Sequence, residues 1–281
     1  MSFILSGFSD EISPNVDVQF NVLQKLNIKH FEVRGVDGKN ISKLTDDEVT
    51  ELKCKMDKYK IKVSSIGSPI GKININDDFK PHFDAYKRVV EIAKALDCKY
   101  IRMFSFFNND EWDDNSRTQV FSRIRKMLDY AIEQDIVLLH ENEKDIYGDT
   151  VERCVDLMDE FYCDNFKAVF DPANFVQCNQ DTKKAFDALK DKIAYMHIKD
   201  ALVKDGVVVP AGKGDGNIEY ILKELYEMGF EGFASLEPHM GSFVGLKDLE
   251  IGDDMLKLPE GGEGTFTLAY NALVKILNNI Y

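Results

Sequence analysis

The chain has 281 residues, 44% of them hydrophobic and 30% charged, with a formal net charge of −14 and five cysteines. An acidic balance of that size argues against a nucleic-acid partner, whose binding rests on Lys and Arg neutralising phosphates, and favours a small molecule. Cys54, Cys98, Cys154, Cys163 and Cys178 are odd in number and hold no CxxC pair, which speaks against a disulfide framework or a thiolate zinc site and fits a reducing, cytoplasmic setting.

The chain begins MSFILSGFSDEI, with no basic n-region and with Asp10 and Glu11 arriving before any long apolar core, and no later stretch has the length of a membrane span. A soluble, untargeted protein is expected. From there one rhythm repeats. The short apolar run ILSGF (4–8) precedes the helical segment VDVQFNVLQKL (16–26), and HFEVRG (30–35) precedes DDEVTELKCKM (46–56). KVSSIG (62–67) leads to FDAYKRVVEIAKALDC (83–98), whose Phe83, Tyr86, Val89, Val90, Ala93 and Leu96 recur three or four apart on one face. YIRMFSF (100–106) is followed by SRIRKMLDYAIEQ (122–134), IVLLHE (136–141) by VERCVDLMDEF (151–161), and KAVFD (167–171) by KKAFDALKD (183–191). IAYMHI (193–198) leads to EYILKELYEMG (219–229), and GFASLE (232–237) to TFTLAYNALVKILNNI (265–280) across 241–263, the only long irregular stretch. With no linker or composition break, eight strand–helix units predict one (β/α)8 TIM barrel domain over residues 1–281.

In such barrels, residues at the C-terminal ends of the strands build the active site. The fifth run, Ile136-Val137-Leu138-Leu139, reads as a strand buried on both faces, yet it gives way at once to His140-Glu141. The next three strands also end in potential ligands: Asp171, His197 and Glu237. Strands roughly 4.8 Å apart can aim four such side chains at one point. Three carboxylates and an imidazole suit one divalent cation, Mn, Mg, Co or Zn, without choosing among them. Singly, each has an ordinary alternative: a surface acid for Glu141, an Asp-Pro turn former in FDPANF for Asp171, a core histidine for His197, and a lysine partner in SLEPH for Glu237. Their equal height on four successive strands favours a shared site, since unneutralised acids would repel one another.

Other residues carry weaker signals. Glu32 in FEVRG either bonds a substrate hydroxyl or pairs with Arg34 or a lysine, and His239 lies two residues past Glu237. Lys199 and Lys213 are candidates for an anionic substrate group. The GKGDG loop (212–216) exposes amides, but it lacks the P-loop spacing and contains Asp215, so a plain turn is preferred. Glu143 is an alternative ligand to Glu141, and Phe104, Phe106, Phe107 and Trp112 follow strand 4 as pocket walls or packing residues.

The order Glu141, Asp171, MHIKD with His197, AGKGDGNIEY, and SLEPH with Glu237 resembles the xylose-isomerase-like barrel superfamily of sugar phosphate isomerases and epimerases, which includes ketose 3-epimerases, inosose dehydratases and endonuclease IV. The resemblance spans nearly the whole chain. It implies that Glu141, Asp171, His197 and Glu237 bind one divalent metal and that Glu141 and Glu237 flank the sugar. One glutamate would take a proton next to a metal-bound carbonyl to form an enediolate and the other would return one, giving isomerisation or epimerisation. Many members have a histidine, which usually contacts substrate, three residues after the strand 6 aspartate; Asn174 stands there in this chain, which leaves one metal as the expectation. The substrate-binding candidates are thus Glu32, Asn174, Lys199, Lys213 and His239. The alternatives are an inosose dehydratase-type lyase, an endonuclease IV-like nuclease, which the acidic balance opposes, and a non-catalytic sugar-binding barrel.

Overall fold

A computed structural model describes residues 3–240 and 261–281. Eight strands form one parallel sheet: β1 (Ile4–Gly7), β2 (His30–Val33), β3 (Lys62–Gly67), β4 (Tyr100–Met103), β5 (Val137–Glu141), β6 (Phe166–Phe170), β7 (Ile193–Ile198) and β8 (Phe233–Leu236). Their order is β1-β8-β7-β6-β5-β4-β3-β2, with β1 and β2 side by side but joined by no ladder, so the barrel is closed except at one seam. Around it lie α1 (Val16–Lys25), α2 (Asp46–Tyr59), α3 (Phe79–Ala95), α4 (Asp114–Glu133), α5 (Val151–Phe161), α6 (Pro172–Gln177), α7 (Thr182–Leu189), α8 (Ile218–Glu227) and α9 (Glu263–Ile280). The expected (β/α)8 architecture is the one observed. No helix among the described residues is long and apolar enough to cross a membrane.

Local chemistry fixes where the helices start. Thr45 and Glu48 form a capping box at α2, Asp113 and Ser116 one at α4, and Asn15, Asp78, Thr150 and Asp181 accept amide hydrogens at α1, α3, α5 and α7. The Asp113 cap starts α4 well before the expected Ser122. The run expected as strand through Phe106 ends at Met103; Phe106 has φ of 68°, which a ladder does not accommodate. FDPANF is a short helix and not only a turn: Pro172 opens α6 at the position where its missing N–H costs nothing. Of the irregular stretch expected at 241–263, residues 241–260 lie outside the described residues.

The strand period of two stacks the interior in layers. Leu139, Val169 and Tyr195 cluster near the closed end, and two residues further along the same strands come Glu141, Asp171 and His197. The inner stripe therefore changes from apolar to charged toward the C-terminal rim. Tyr195 Oη is 2.8 Å from Ser64 Oγ, itself 2.6 Å from Ser6 Oγ, so these three buried hydroxyls are linked. At the seam, side chains stand where a backbone ladder is missing. Arg34, just past β2, donates from Nε to Asp10 Oδ2 at 2.8 Å and from Nη2 to Asp10 Oδ1 at 3.1 Å and Glu11 Oε1 at 3.2 Å, just past β1.

Candidate active site

The four strand-end residues converge. Among the described residues, Glu141, Asp171, His197 and Glu237 each present a ligand atom, all within 4.8 Å of one another and all buried. His197 Nδ1 faces the acids, 2.9 Å from Glu141 Oε1, 3.3 Å from Glu237 Oε2 and 3.9 Å from Asp171 Oδ2. Its other nitrogen, Nε2, lies 3.1 Å from Glu32 Oε2, which also accepts from Ser235 Oγ at 2.8 Å. A proton on Nε2, directed at Glu32, would leave the Nδ1 lone pair to a cation in the cluster, the carboxylate–histidine arrangement common behind metal ligands. Glu32 is therefore seated beneath His197 and pairs with neither Arg34 nor a lysine.

The neighbours of each acid shape its charge. Burial tends to raise Glu141, but the fields of His197 and Arg102 outweigh it and bring its pKa to about 2. Burial pushes Asp171 up to about 7 despite Lys199, with Glu237 and Glu141 adding to the rise. Glu237 is held well below the usual carboxylate range: burial opposes this, and Lys199, His239 and His197 prevail. His197 is raised because Glu141, Glu32 and Glu237 together overcome its burial. Each glutamate is gripped on its outer oxygen by an arginine: Arg102 Nη1 donates to Glu141 Oε2 at 3.0 Å, and Arg34 Nη1 is 3.5 Å from Glu237 Oε1. The inner oxygens remain directed at the cluster.

The donor set fits a divalent cation. Three oxygens and one nitrogen converge in a buried space, and Asp171 Oδ2 has no hydrogen-bond partner, Lys199 Nζ being 3.0 Å away but outside hydrogen-bond geometry. The other Asp171 oxygen caps α6 by accepting from Asn174 N at 2.9 Å, so the cap fixes the direction of the free one. Asn142 clasps the same residue: its Nδ2 donates to Asp171 O and its Oδ1 accepts from Asp171 N, both at 2.9 Å. Asn174 Nδ2 donates to Asn142 O at 2.9 Å and to Glu141 Oε1 at 3.3 Å, leaving its own Oδ1 buried without a partner.

The remaining candidates divide. Lys199 belongs to the cluster, its Nζ also donating to Glu237 Oε2 at 3.2 Å. His239 Nε2 lies 3.3 Å from Glu237 Oε1 and 3.5 Å from Glu11 Oε1. Lys213 is exposed on its loop. Glu143 turns to Lys72 at 3.3 Å, away from the ligand group. Phe104 lies beneath two cations, Arg102 at 4.7 Å and Lys72 at 4.4 Å, whereas Trp112 packs on Tyr147 at 5.1 Å. The amides of GKGDG are taken: Gly212, Gly214 and Gly216 donate to the buried Asp200 carboxylate at 2.9, 3.0 and 2.8 Å. The turn reading of that loop holds, with an internal carboxylate in its nest. Arg102, Asn142 and Glu11 were missed as parts of the site. Arg102 had one signal, a charge inside an apolar strand.

The chain matches the model of the xylose isomerase-like TIM barrel family over residues 20–258. It belongs to that family. No curated protein sequence matches it. Among solved structures, this family member is similar to the IOLI protein with a bound zinc atom, with a TM-score of 0.77, 17% identity and 99% of each chain covered. It is similar also to D-allulose 3-epimerase from Methylomonas sp. in complex with D-allulose, with a TM-score of 0.75 and 14% identity over 99% of this chain and 97% of that one. A third likeness is to the probable 3-DHS dehydratase AsbF from Bacillus anthracis, with a TM-score of 0.73 and 17% identity over 98% of this chain and 99% of that one. At such identities the likenesses speak for the fold.

Proposed function

We propose that residues 1–281 form one barrel domain acting as a divalent-metal-dependent sugar or sugar-phosphate isomerase or epimerase, with Glu141, Asp171, His197 and Glu237 holding one ion. The observation that carries this reading is the buried quartet at four successive strand ends, with an arginine on the outer oxygen of each glutamate. When bound, the ion supplies Lewis acidity, polarising a substrate carbonyl and acidifying the neighbouring C–H. The protein's own groups do the rest. His197 and Arg102 keep Glu141 ionised, and Lys199, His239 and His197 keep Glu237 ionised, so that each can accept a proton. That stabilisation costs basicity, which the acidified C–H offsets. Glu141 on β5 and Glu237 at the end of β8 approach from opposite ends of the four-strand arc, one placed to remove a proton and the other to return one. Asn174, Lys199 and His239 supply hydrogen-bonding groups for hydroxyl or carbonyl oxygens, and the rim's burial excludes water.

A dehydratase reading shares the first step and ends in loss of a hydroxyl. Lys199 and His239 beside Glu237 are the observation in its favour, as groups able to assist a leaving oxygen. The test is a panel of ketoses and inososes with Mn2+ in D2O. An accepted ketose should acquire deuterium next to its carbonyl by NMR, and Glu141→Gln and Glu237→Gln should each lower turnover by at least about 100-fold. Near-normal turnover in either metal-loaded variant removes the paired-glutamate mechanism, and an unsaturated product selects the lyase.

A further inference from the structure

Lys199 reaches the same oxygens that a metal would use. Its ammonium stands 3.0 Å from Asp171 Oδ2 and 3.2 Å from Glu237 Oε2, two of the four proposed ligand atoms, and the side chain is almost wholly buried among them. A divalent cation needs those oxygens at roughly 2.0–2.2 Å. An ammonium left at its present distance would then sit within a few ångströms of the ion, where like charges in a buried setting repel strongly. The two cations would compete for the negative charge of Asp171 and Glu237.

We propose that Lys199 is a tethered counter-ion of the ligand group, displaced when a divalent metal enters; this rests on the metal-site reading above. The exchange is ionic: one metal ion takes over the oxygens, one ammonium leaves them, and no bond other than these contacts is made or broken. The displaced ammonium has a place to go. Glu143 acts electrostatically on Lys199 and lies farther out on the rim, half-buried and paired with Lys72 at 3.3 Å. In that position Lys199 faces the mouth of the barrel, where a hydroxyl or carbonyl oxygen of a substrate would arrive. Metal entry therefore arms a substrate contact, and metal should bind before substrate.

The test is calorimetric titration of metal-stripped protein with Mn2+. Lys199→Met should bind at least tenfold more tightly than wild type, because no internal cation competes, while Lys199→Arg should stay within about threefold of wild type. Equal or weaker binding by Lys199→Met overturns the proposal. The wild-type chain provides a second measurement that does not depend on the variants folding. Acylation of Lys199, read by mass spectrometry, should be severalfold faster with Mn2+ bound than without, and an unchanged or slower rate also overturns the proposal. A wild type that binds no metal defeats the metal site and this inference together; metal binding without the tightening defeats only the inference.

Discussion

Glu32 meets one of the proposed ligands, His197, and its charge favours a proton on the imidazole nitrogen that faces it. Replacing it with Gln keeps the shape and removes the charge that orients the ring. Glu32→Gln should therefore weaken metal affinity by about 10–100-fold with little change in fold, as titration and circular dichroism would show. A second residue-scale prediction concerns His140, whose burial pulls its pKa from 6.5 to about 4 and whose Nε2 is buried without a partner. The folded state holds it neutral, so its contribution is complete above pH 6.5 and is lost as the pH falls toward 4, at most about 3 kcal/mol. Thermal unfolding across that window should show a shallower acid decline in His140→Leu. At this scale the sequence was informative about strand ends and poor about their partners. Glu141, Asp171, His197 and Glu237 were legible because each ends an apolar run. The pairing of Glu32 with His197 was not, because it joins strands 165 residues apart and no local pattern encodes it.

Among elements, the loop after β7 has the most specific local requirement. Three alternating glycine amides close on Asp200, and a Cβ added at Gly214 would run into that carboxylate and the Ala201 carbonyl. Gly214→Ala should cost about 1–3 kcal/mol in chemical unfolding, with the loss falling on a loop that is anchored one residue from Lys199. A glycine-rich pentapeptide looks the same in sequence whether its amides serve a ligand or the chain itself; only the position of Asp200, a dozen residues earlier, separates the two. α6 shows the reverse case. Asp-Pro was legible as punctuation, but its use as a helix cap depended on Asn174 N meeting Asp171 Oδ1, and that cap is what leaves Asp171 Oδ2 for the site.

For the molecule as a whole, periodicity made the eight units legible but was silent on closure. The barrel closes by ladders between seven of its neighbouring strand pairs, and at β1–β2 by Arg34 with Asp10 and Glu11. Removing Arg34 leaves two buried carboxylates without their cation, so Arg34→Met should destabilise the fold by about 3–5 kcal/mol. Amide exchange should reveal where the damage falls: protons of β1 and β2 should exchange before those of β5 and β6, and uniform acceleration would contradict this. The same guanidinium reaches Glu237 Oε1. Breathing of the cylinder at its least-laced edge and the aim of the carboxylate proposed to move a proton thus share one side chain. An opening of that edge that carried Arg34 away would therefore also release Glu237 Oε1 from its guanidinium.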